Sequence, residues 1–530
     1  MIYSFVLAPS RALPMSGGFI SGGSRTGLAY VVLGVFSVLL IAGFVVADRL
    51  APAGRRLAKV AGIDPPAYFA VSHSVLFDHD FDLSNEFRRY PSDDNPWTKV
   101  RPETGRPGSA YAIGYSLLAM PFLGAGTLLD AVAGNPADGY SRFAVLGYCL
   151  TNLILTCLGL MVLFGLLQQV SALWGVSGQR ATWYALFATG AVFFGTSVAY
   201  YGFSHMSHAS TFFCASLFMA CWWKVRERTD VRGWALLGLF GGLLSICRWQ
   251  EMFFVAAVFL FDLTDKTLWS RFLPWLRSRA AYLGIVALCW IPQLLEWKSI
   301  YGKFFSNPYG NVPDFPPPWV PQVLFSTRNG WLFWTPLALV GVCGLLYGLA
   351  KAGRVFLPWL VVIALEVTLV SASSATWHGG DAFGCRYMTS SAPLVALGLI
   401  TILCVANRSI RLITICVTAV CCLFTSLFAV QLRLDLIPHG ERLTAAECFT
   451  DKLRILQVRR RKVAVQQARN YLQQGSADAA VRTLERAADL YGSDREVWNV
   501  LRTAYRAAGR TAQAENADQQ WQRVMQSRLW

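Results

Sequence analysis

The stretch Gly27–Ala47, GLAYVVLGVFSVLLIAGFVVA, decides the fold class: it is 21 residues long and carries no charge. A helix of about 20 apolar residues crosses the hydrocarbon core of a bilayer and satisfies its own backbone there. Arg11 and Arg25 precede the stretch and Asp48-Arg49 follow it, without a small-residue cleavage site. It therefore reads as an uncleaved first span and not as a signal peptide. The pattern recurs along the chain. Of 530 residues 54% are hydrophobic and 15% charged, and the mean hydropathy is +0.41. That is the composition of an all-α polytopic membrane protein.

Apolar runs between charged breaks predict about 11 transmembrane helices, near 27–47, 143–168, 181–199, 209–224, 233–247, 252–264, 280–296, 331–350, 355–375, 390–406 and 411–430. Charge resolves two ambiguities. Tyr111–Val132 is apolar but interrupted by Gly114, Pro121, Gly124 and Gly126, and is taken as interfacial or re-entrant. Residues 233–264 are taken as a hairpin turning at Arg248-Trp249-Gln250-Glu251. The short basic loops then share one side with the N-terminal segment 1–26: Lys224/Arg226/Arg228/Arg232, Lys266/Arg271/Arg277/Arg279, Lys351/Arg354 and Arg408/Arg411. By the positive-inside rule that side is the cytoplasm. The outer face receives the large first loop 48–142, Tyr201–His208, Arg248–Glu251, 297–330, Ala375–Ser390 and the C-terminal tail.

The net charge of +16 follows from these topogenic loops, and no nucleic-acid-binding motif accompanies it. Eleven of the 13 Cys lie in apolar runs, leaving Cys385 and Cys448 in loops as a conceivable pair. From about Lys452 the apolar runs stop. Beyond a linker at 441–462, residues 463–530 hold a repeat: Tyr471 and Tyr505, Gly475 and Gly509, and Ala480 and Ala514 are each 34 apart. YLQQGSADAAVRTLERA and AYRAAGRTAQAENA have the tetratricopeptide arrangement of helix, Gly turn, helix. Two such units are fewer than the roughly three a free solenoid needs, so the tail is expected to pack on the membrane domain, a protein partner or another copy.

Chemistry is expected first at FDHDFDLSNEF, 77–87, which concentrates Asp78, Asp80, Asp82 and Glu86. In an extended segment Asp78, Asp80 and Asp82 would share one side. Crowded carboxylates raise one another's pKa, which suits one of them to act as a base. They could equally hold a divalent cation such as Mg²⁺, Mn²⁺ or Ca²⁺, although the glycine and the final glutamate of an EF-hand are missing. Arg248, Arg328 before the aromatic run 330–334, and Arg386 are candidates for a phosphate, which a planar guanidinium grips with two hydrogen bonds. Glu251 and Asp381 are the alternative partners of Arg248 and Arg386. His205 and His208 would share a face on a helical turn, as metal or phosphate ligands or as structural caps. Trp377, His378 and Tyr387 complete the candidate substrate pocket within WHGGDAFGCRY, 377–387.

Several features resemble the GT-C superfamily of membrane glycosyltransferases, in the branch of bacterial relatives of protein O-mannosyltransferases and the aminoarabinose lipid A transferase. They are the acidic first outer loop, the apolar segment YAIGYSLLAMPFLG (111–124), the hairpin turning at an arginine and the late loop W-H-G-G-x-x-F-G-x-R-Y. The likeness spans about residues 27–440. It implies a catalytic Asp in the first outer loop, which falls on Asp78 or Asp80 with Asp82 and Glu86 in support. It also implies a polyprenyl-phosphate sugar donor held by Arg248 and Arg386, and a glycan, lipid or protein acceptor outside a bacterial inner membrane. A transporter or flippase of lipid-linked or anionic substrate, and an assembly scaffold with a degenerate site, are the alternatives.

Overall fold

The structure, a computed structural model, describes residues 23–51, 56–90, 98–264, 271–310, 313–374, 376–449, 455–490 and 495–527. Arg11 and most of the N-terminal segment, and Lys266 of one basic loop, lie outside the described residues. The chain forms two compact units, the first holding most of the residues up to Ser426.

In the first unit the apolar runs are helices. In order they are α1 (Gly23–Leu50), α2 (Pro65–His73), α3 (Ser84–Arg89), α4 (Gly114–Val132), α5 (Arg142–Leu173), α6 (Gly178–Gly195), α7 (Val198–Gly202), α8 (His208–Val225) and α9 (Val231–Cys247). They continue as α10 (Met252–Leu263), α11 (Phe272–Tyr301), α12 (Val320–Phe325), α13 (Trp331–Trp334), α14 (Leu337–Ala352), α15 (Leu357–Ser371), α16 (Ala392–Val405) and α17 (Arg408–Arg433), whose last turns pass into the second unit. Among the described residues there is no strand, only a bridge between Val100 and Pro107.

Among the described residues seven stretches are long and apolar enough to cross a bilayer: Thr26–Leu50, Gly114–Val132, Arg142–Leu173, Phe272–Tyr301, Leu337–Val355, Arg386–Val405 and Arg408–Arg433. Two shorter apolar helices, α9 and α15, accompany them. Their outward faces are greasy: Val31, Val35 and Leu39 of α1, Leu283 and Leu288 of α11, and Ile413 and Val420 of α17 are all exposed. Surface of that kind and extent belongs against lipid. The chain is a multi-pass α-helical membrane protein. Its interior is aromatic, with Trp222, Trp234, Trp334 and Trp359 fully buried and the Trp222 and Trp359 rings edge to face at 4.7 Å.

The hairpin expected at 233–264 is present. Arg248 is extended (φ −155°, ψ 125°), which ends α9, and α10 runs back beside it. Arg279 of α11 shows the antiparallel arrangement, lying 3.4 Å from the ring of Trp234 near the start of α9 and 2.6 Å from Asp262 near the end of α10.

The segment 111–132 differs in form from the sequence reading. It is one continuous helix through Pro121, and its glycines are contact points instead of breaks. A Cβ on Gly126 would lie 2.1 Å from the Phe143 carbonyl oxygen, and one on Gly114 would lie 2.5 Å from the Cys247 nitrogen. These contacts also fix which part of α5 it packs on. Gly126 meets Phe143 and Phe122 meets Gly147, so α4 packs on the first third of α5. The 32 residues of α5 extend about 48 Å. Asn152 binds the carbonyls of Ser204 and Met206 in the loop after α7, and the rest of α5 beyond it is about 32 Å, enough to cross. Helix α4 therefore packs beside the N-terminal part of α5, before Asn152.

Helices α14 and α16 cross on glycines. A Cβ on Gly344 would fall 2.0 Å from the Gly398 carbonyl oxygen, and one on Gly398 would fall 1.8 Å from that of Gly341. Backbones this close need small residues at both sides of the crossing. Gly398→Val is expected to force the helices apart, at a cost beyond the ~1–3 kcal/mol of ordinary overpacking. Size-exclusion chromatography of the detergent extract should show the monodisperse peak lost, while Gly190→Ala, with nothing within 4 Å of its Cβ, should leave it intact.

The second unit contains α18 (Ala445–Phe449), α19 (Ile455–Gln473), α20 (Ala477–Leu490), α21 (Arg495–Ala507) and α22 (Thr511–Ser527). Part of the expected linker 441–462 is thus helical, because α19 starts at Ile455. Ser476 N–H reaches the Tyr471 carbonyl at 2.8 Å, and 34 residues on Arg510 N–H reaches that of Tyr505 at 2.9 Å. The glycine in each turn is left-handed, Gly475 at φ +73° and Gly509 at +72°. Leu484, Val497 and Leu501 fill the core between them, with Ala468, Ala480, Ala504 and Ala514 at the close approaches. Arg328 belongs to this unit, in a turn where its N–H bonds Ser326 Oγ at 3.0 Å. All 13 cysteines are free, Cys385 and Cys448 included.

Candidate active site

The acidic stretch is not extended. Helix α2 widens into a π-helical turn over Ser74–Asp78, His79 turns left-handed at φ +60°, and α3 follows at Ser84. The three aspartates consequently do not share a side. Asp80 accepts from Ser74 Oγ at 2.8 Å and from Asp82 N–H at 2.9 Å, while Asp82 accepts from Ser84 Oγ at 2.6 Å. Both serve the turn, as short polar side chains do where backbone N–H groups lack helical partners. The hydrogen bonds that Ser84 donates to Asp82 outweigh desolvation and hold the Asp82 carboxyl below its usual range.

Asp78 and Glu86 are brought together instead by His73, a residue hidden from sequence reading inside the apolar run YFAVSHSVLF. His73 Nδ1 lies 2.9 Å from Glu86 Oε1 and 3.9 Å from Asp78 Oδ2, and Nε2 is 2.9 Å from the Asp138 carbonyl. Burial alone would lower the His73 pKa, but the bonds to Glu86 and Asp138 and the neighbouring carboxylate charge outweigh it, and the net shift is upward. Burial pushes Glu86 up as well.

A second constellation gathers the basic residues. Asp64, next to α2 in GIDPPAY, accepts from Arg386 Nη1 at 3.0 Å and from the Tyr111 hydroxyl at 2.7 Å. Asp64 N-caps α2, a place where a carboxylate ordinarily bonds the amides of the first turn. Here Pro65 and Pro66 fill that turn and have no N–H, and Ala67 N–H is taken by the Asp64 carbonyl at 3.2 Å. The carboxylate makes no cap bond and points to Arg386 and Tyr111. Its partner comes from the late loop, where Arg386 opens a 3-10 turn, Arg386–Ser391, after the glycine-rich WHGGDAFGC.

Arg248, at the hairpin break, donates to His208 Nδ1 at 2.8 Å and to Gln250 Oε1 at 3.1 Å, so Glu251 is not its partner. A guanidinium only donates, so His208 accepts at Nδ1 and is a neutral imidazole with its proton on Nε2. Tyr387 joins the two arginines. Its ring lies 4.9 Å from the Arg248 guanidinium and 5.6 Å from that of Arg386, within cation–π range, and its carbonyl accepts from Gln250. Tyr68 of α2 donates to Ser207 Oγ at 3.0 Å and stacks near Tyr111, and burial pushes its hydroxyl pKa up to about 12. The charges of Asp64, Arg248 and Arg386 also act on that hydroxyl.

The remaining candidates fall elsewhere or play supporting parts. His205 and His208 do not share a face: the His205 ring lies 6.4 Å from that of Tyr148, whereas His208 serves Arg248. Trp377 stacks on Trp319 at 5.7 Å, and the His378 carbonyl accepts from Asn329, so both brace the late loop. Glu251 and Glu366 are both fully buried, each carboxyl feels the other's charge, and Ser390 and Ser391 donate to Glu366.

Chemically, the constellation offers a carboxylate with no helix amide to satisfy, two guanidiniums and a wall of tyrosines. Asp64 is the member that sequence reading missed. Its one sequence signal is the Asp-Pro-Pro order, a helix start at which the capping carboxylate finds no amide. Comparison with the models of protein families and with curated proteins gives no match for this chain.

Proposed function

We propose that the chain is a membrane glycosyltransferase that moves a sugar from a polyprenyl-phosphate donor to an acceptor hydroxyl on the outer face of a bacterial inner membrane, with Asp64 as the base. What supports this most is the placement of the Asp64 carboxylate against Arg386, with Arg248 on the same Tyr387 ring as Arg386 and no helix amide competing for the carboxylate. Asp64 removes the acceptor's proton as the oxygen attacks the anomeric carbon. The carbon–phosphate oxygen bond breaks, and the departing phosphate is met by Arg248 and Arg386. A single displacement inverts the anomeric centre.

In the ligand-free arrangement Arg386 is paired with Asp64. A donor phosphate, carrying more charge, competes for that guanidinium and frees the carboxylate for the acceptor. With α4 packed beside the N-terminal part of α5, 111–132 is read as a segment outside the crossing bundle, which keeps the first loop, the hairpin tip and the late loop on one side. The tail offers the acceptor or a second copy a docking surface.

One observation favours a transporter of the same lipid-linked anion, the buried Glu251–Glu366 carboxyl pair, since ionisable groups within a bundle mark transport pathways. The two readings separate in one experiment. Purified full-length protein in proteoliposomes is given labelled polyprenyl-phosphate sugar, and both transfer and transbilayer movement are followed. Transfer that falls ~10²–10³-fold in Arg386→Ala and Arg248→Ala supports the transferase, that being the loss expected when a donor to the developing charge is removed. Movement of the donor without transfer would replace it with the transporter. Asp80→Ala and Asp82→Ala are expected to stay within about threefold of the parent rate, since both act only in a surface turn.

A further inference from the structure

The His73, Asp78 and Glu86 trio is separate from the Asp64 centre. The two lie at opposite ends of α2, about 13 Å apart along its axis. The trio is also built, in that its parts arrive from the end of α2, from α3 and from the loop at 138–140. The imidazole is clamped between the Tyr140 ring at 4.1 Å and the Phe77 ring at 4.7 Å. Its tautomer is set from behind: the Asp138 carbonyl accepts only, so Nε2 carries a proton and Nδ1 faces the carboxylates. A backbone carbonyl behind a histidine is the outer-shell arrangement of metal-ligating imidazoles.

The front of the site is made of carboxylates and a tyrosine hydroxyl, with the Arg89 guanidinium set over the Tyr140 ring at 5.9 Å. Around Nδ1 lie Glu86 Oε1 at 2.9 Å, the Tyr140 hydroxyl at 3.4 Å and Asp78 Oδ2 at 3.9 Å, and the second oxygen of Glu86, a residue only 1% exposed, has no hydrogen-bond partner. A proton on His73 would balance one carboxylate and leave the other uncompensated beside a buried oxygen. A dication balances both and takes the Nδ1 lone pair. The spacing suits one: three ligands at 2.1 Å from a tetrahedral ion stand about 3.4 Å apart, and the ligand atoms here lie within 4.8 Å of one another.

We propose that His73, Asp78 and Glu86 bind a first-row transition-metal dication of the Mn²⁺–Zn²⁺ kind, with Asp80 and Asp82 outside the coordination sphere. The imidazole selects against Mg²⁺ and Ca²⁺, which prefer all-oxygen sites. Asp78, held by Asn85 Nδ2 at 2.9 Å and 36% exposed, leaves the solvent side open to water as a further ligand. The site stands on its own geometry, whether or not the chain transfers sugar.

Purified full-length protein stripped with a chelator, then dialysed against Zn²⁺, Mn²⁺ or excess Mg²⁺ alone, tests the assignment by elemental analysis and thermal melting. One equivalent of Zn²⁺ or Mn²⁺ per chain is expected, with a raised Tm, and none of Mg²⁺. Asp78→Asn, a surface-edge change that leaves the fold intact, and His73→Ala should each weaken binding by more than the ~10–100-fold that an outer-shell partner costs. Asp80→Asn should bind as the parent does. No stoichiometric metal, a preference for Mg²⁺, or undiminished binding in Asp78→Asn with a normal melting profile would overturn the site, and the trio would then be a protonated histidine pair.

Discussion

Asp64→Asn is expected to reduce sugar transfer by about 10²–10⁴-fold, the range a general base contributes. The change is nearly isosteric: the amide oxygen keeps the Tyr111 hydroxyl as donor, while the charge that answers Arg386 is lost. Both side chains are partly exposed, 16% for Asp64 and 21% for Arg386, so water compensates part of the broken pair and the folded protein survives. Binding of polyprenyl phosphate should persist, because Arg386 no longer spends its guanidinium on a carboxylate. A binding-competent, transfer-dead enzyme is the signature. Transfer retained in Asp64→Asn but lost in Asp78→Asn would return the base to the acidic stretch.

Asp262→Ala carries the largest expected stability loss, about 3–5 kcal/mol, the cost of stranding one partner of a buried pair. Arg279 Nη2 lies 2.6 Å from Asp262 Oδ1 and Nε lies 2.9 Å from Oδ2, with side-chain exposures of 5% and 7%. Trp275 Nε1 also donates to Asp262 at 3.0 Å, and the guanidinium sits 3.4 Å from the Trp234 ring. Removing the carboxylate therefore orphans a charge and an indole N–H together, at the point where α9, α10 and α11 are tied. The melting temperature of the detergent-solubilised protein should fall by several degrees. The double change Asp262→Ala with Arg279→Met should recover most of the loss, since an apolar pair of similar volume needs no compensation. No recovery would mean that the guanidinium contributes mainly through Trp234.

The helices were legible because a membrane span is written in one dimension: a run of uncharged residues long enough to cross. The break at Arg248 was legible for the same reason, as three polar residues, Arg248, Gln250 and Glu251, interrupting an apolar run. Two kinds of information were not. Glycines in 111–132 read as interruptions, yet Gly114 and Gly126 are where other backbones press against α4, which only the packed structure shows. Local charge density also misled. Asp80 and Asp82 are conspicuous in sequence because a turn needs acceptors there, while the acid beside the arginines stands alone. The basic half of the site was recoverable, as Arg248, Arg386, His208 and Tyr387 each sit where an apolar run ends. His73 and Asp64 were not, since each gains its meaning from residues far along the chain: Asp138 for one, Tyr111 and Arg386 for the other.

The Pro65-Pro66 step does no chemistry, yet it governs what the carboxylate beside it is free to do. An ordinary helix start would lay claim to that side chain, and any ligand would have to win it from the backbone. Two prolines withdraw the rival donors while leaving the helix its start. An alanine at 66 would restore an amide and with it an internal competitor, turning Asp64 from an available acceptor into a structural one. Vacancy at Asp64 is thus encoded in the hydrogens its neighbours lack.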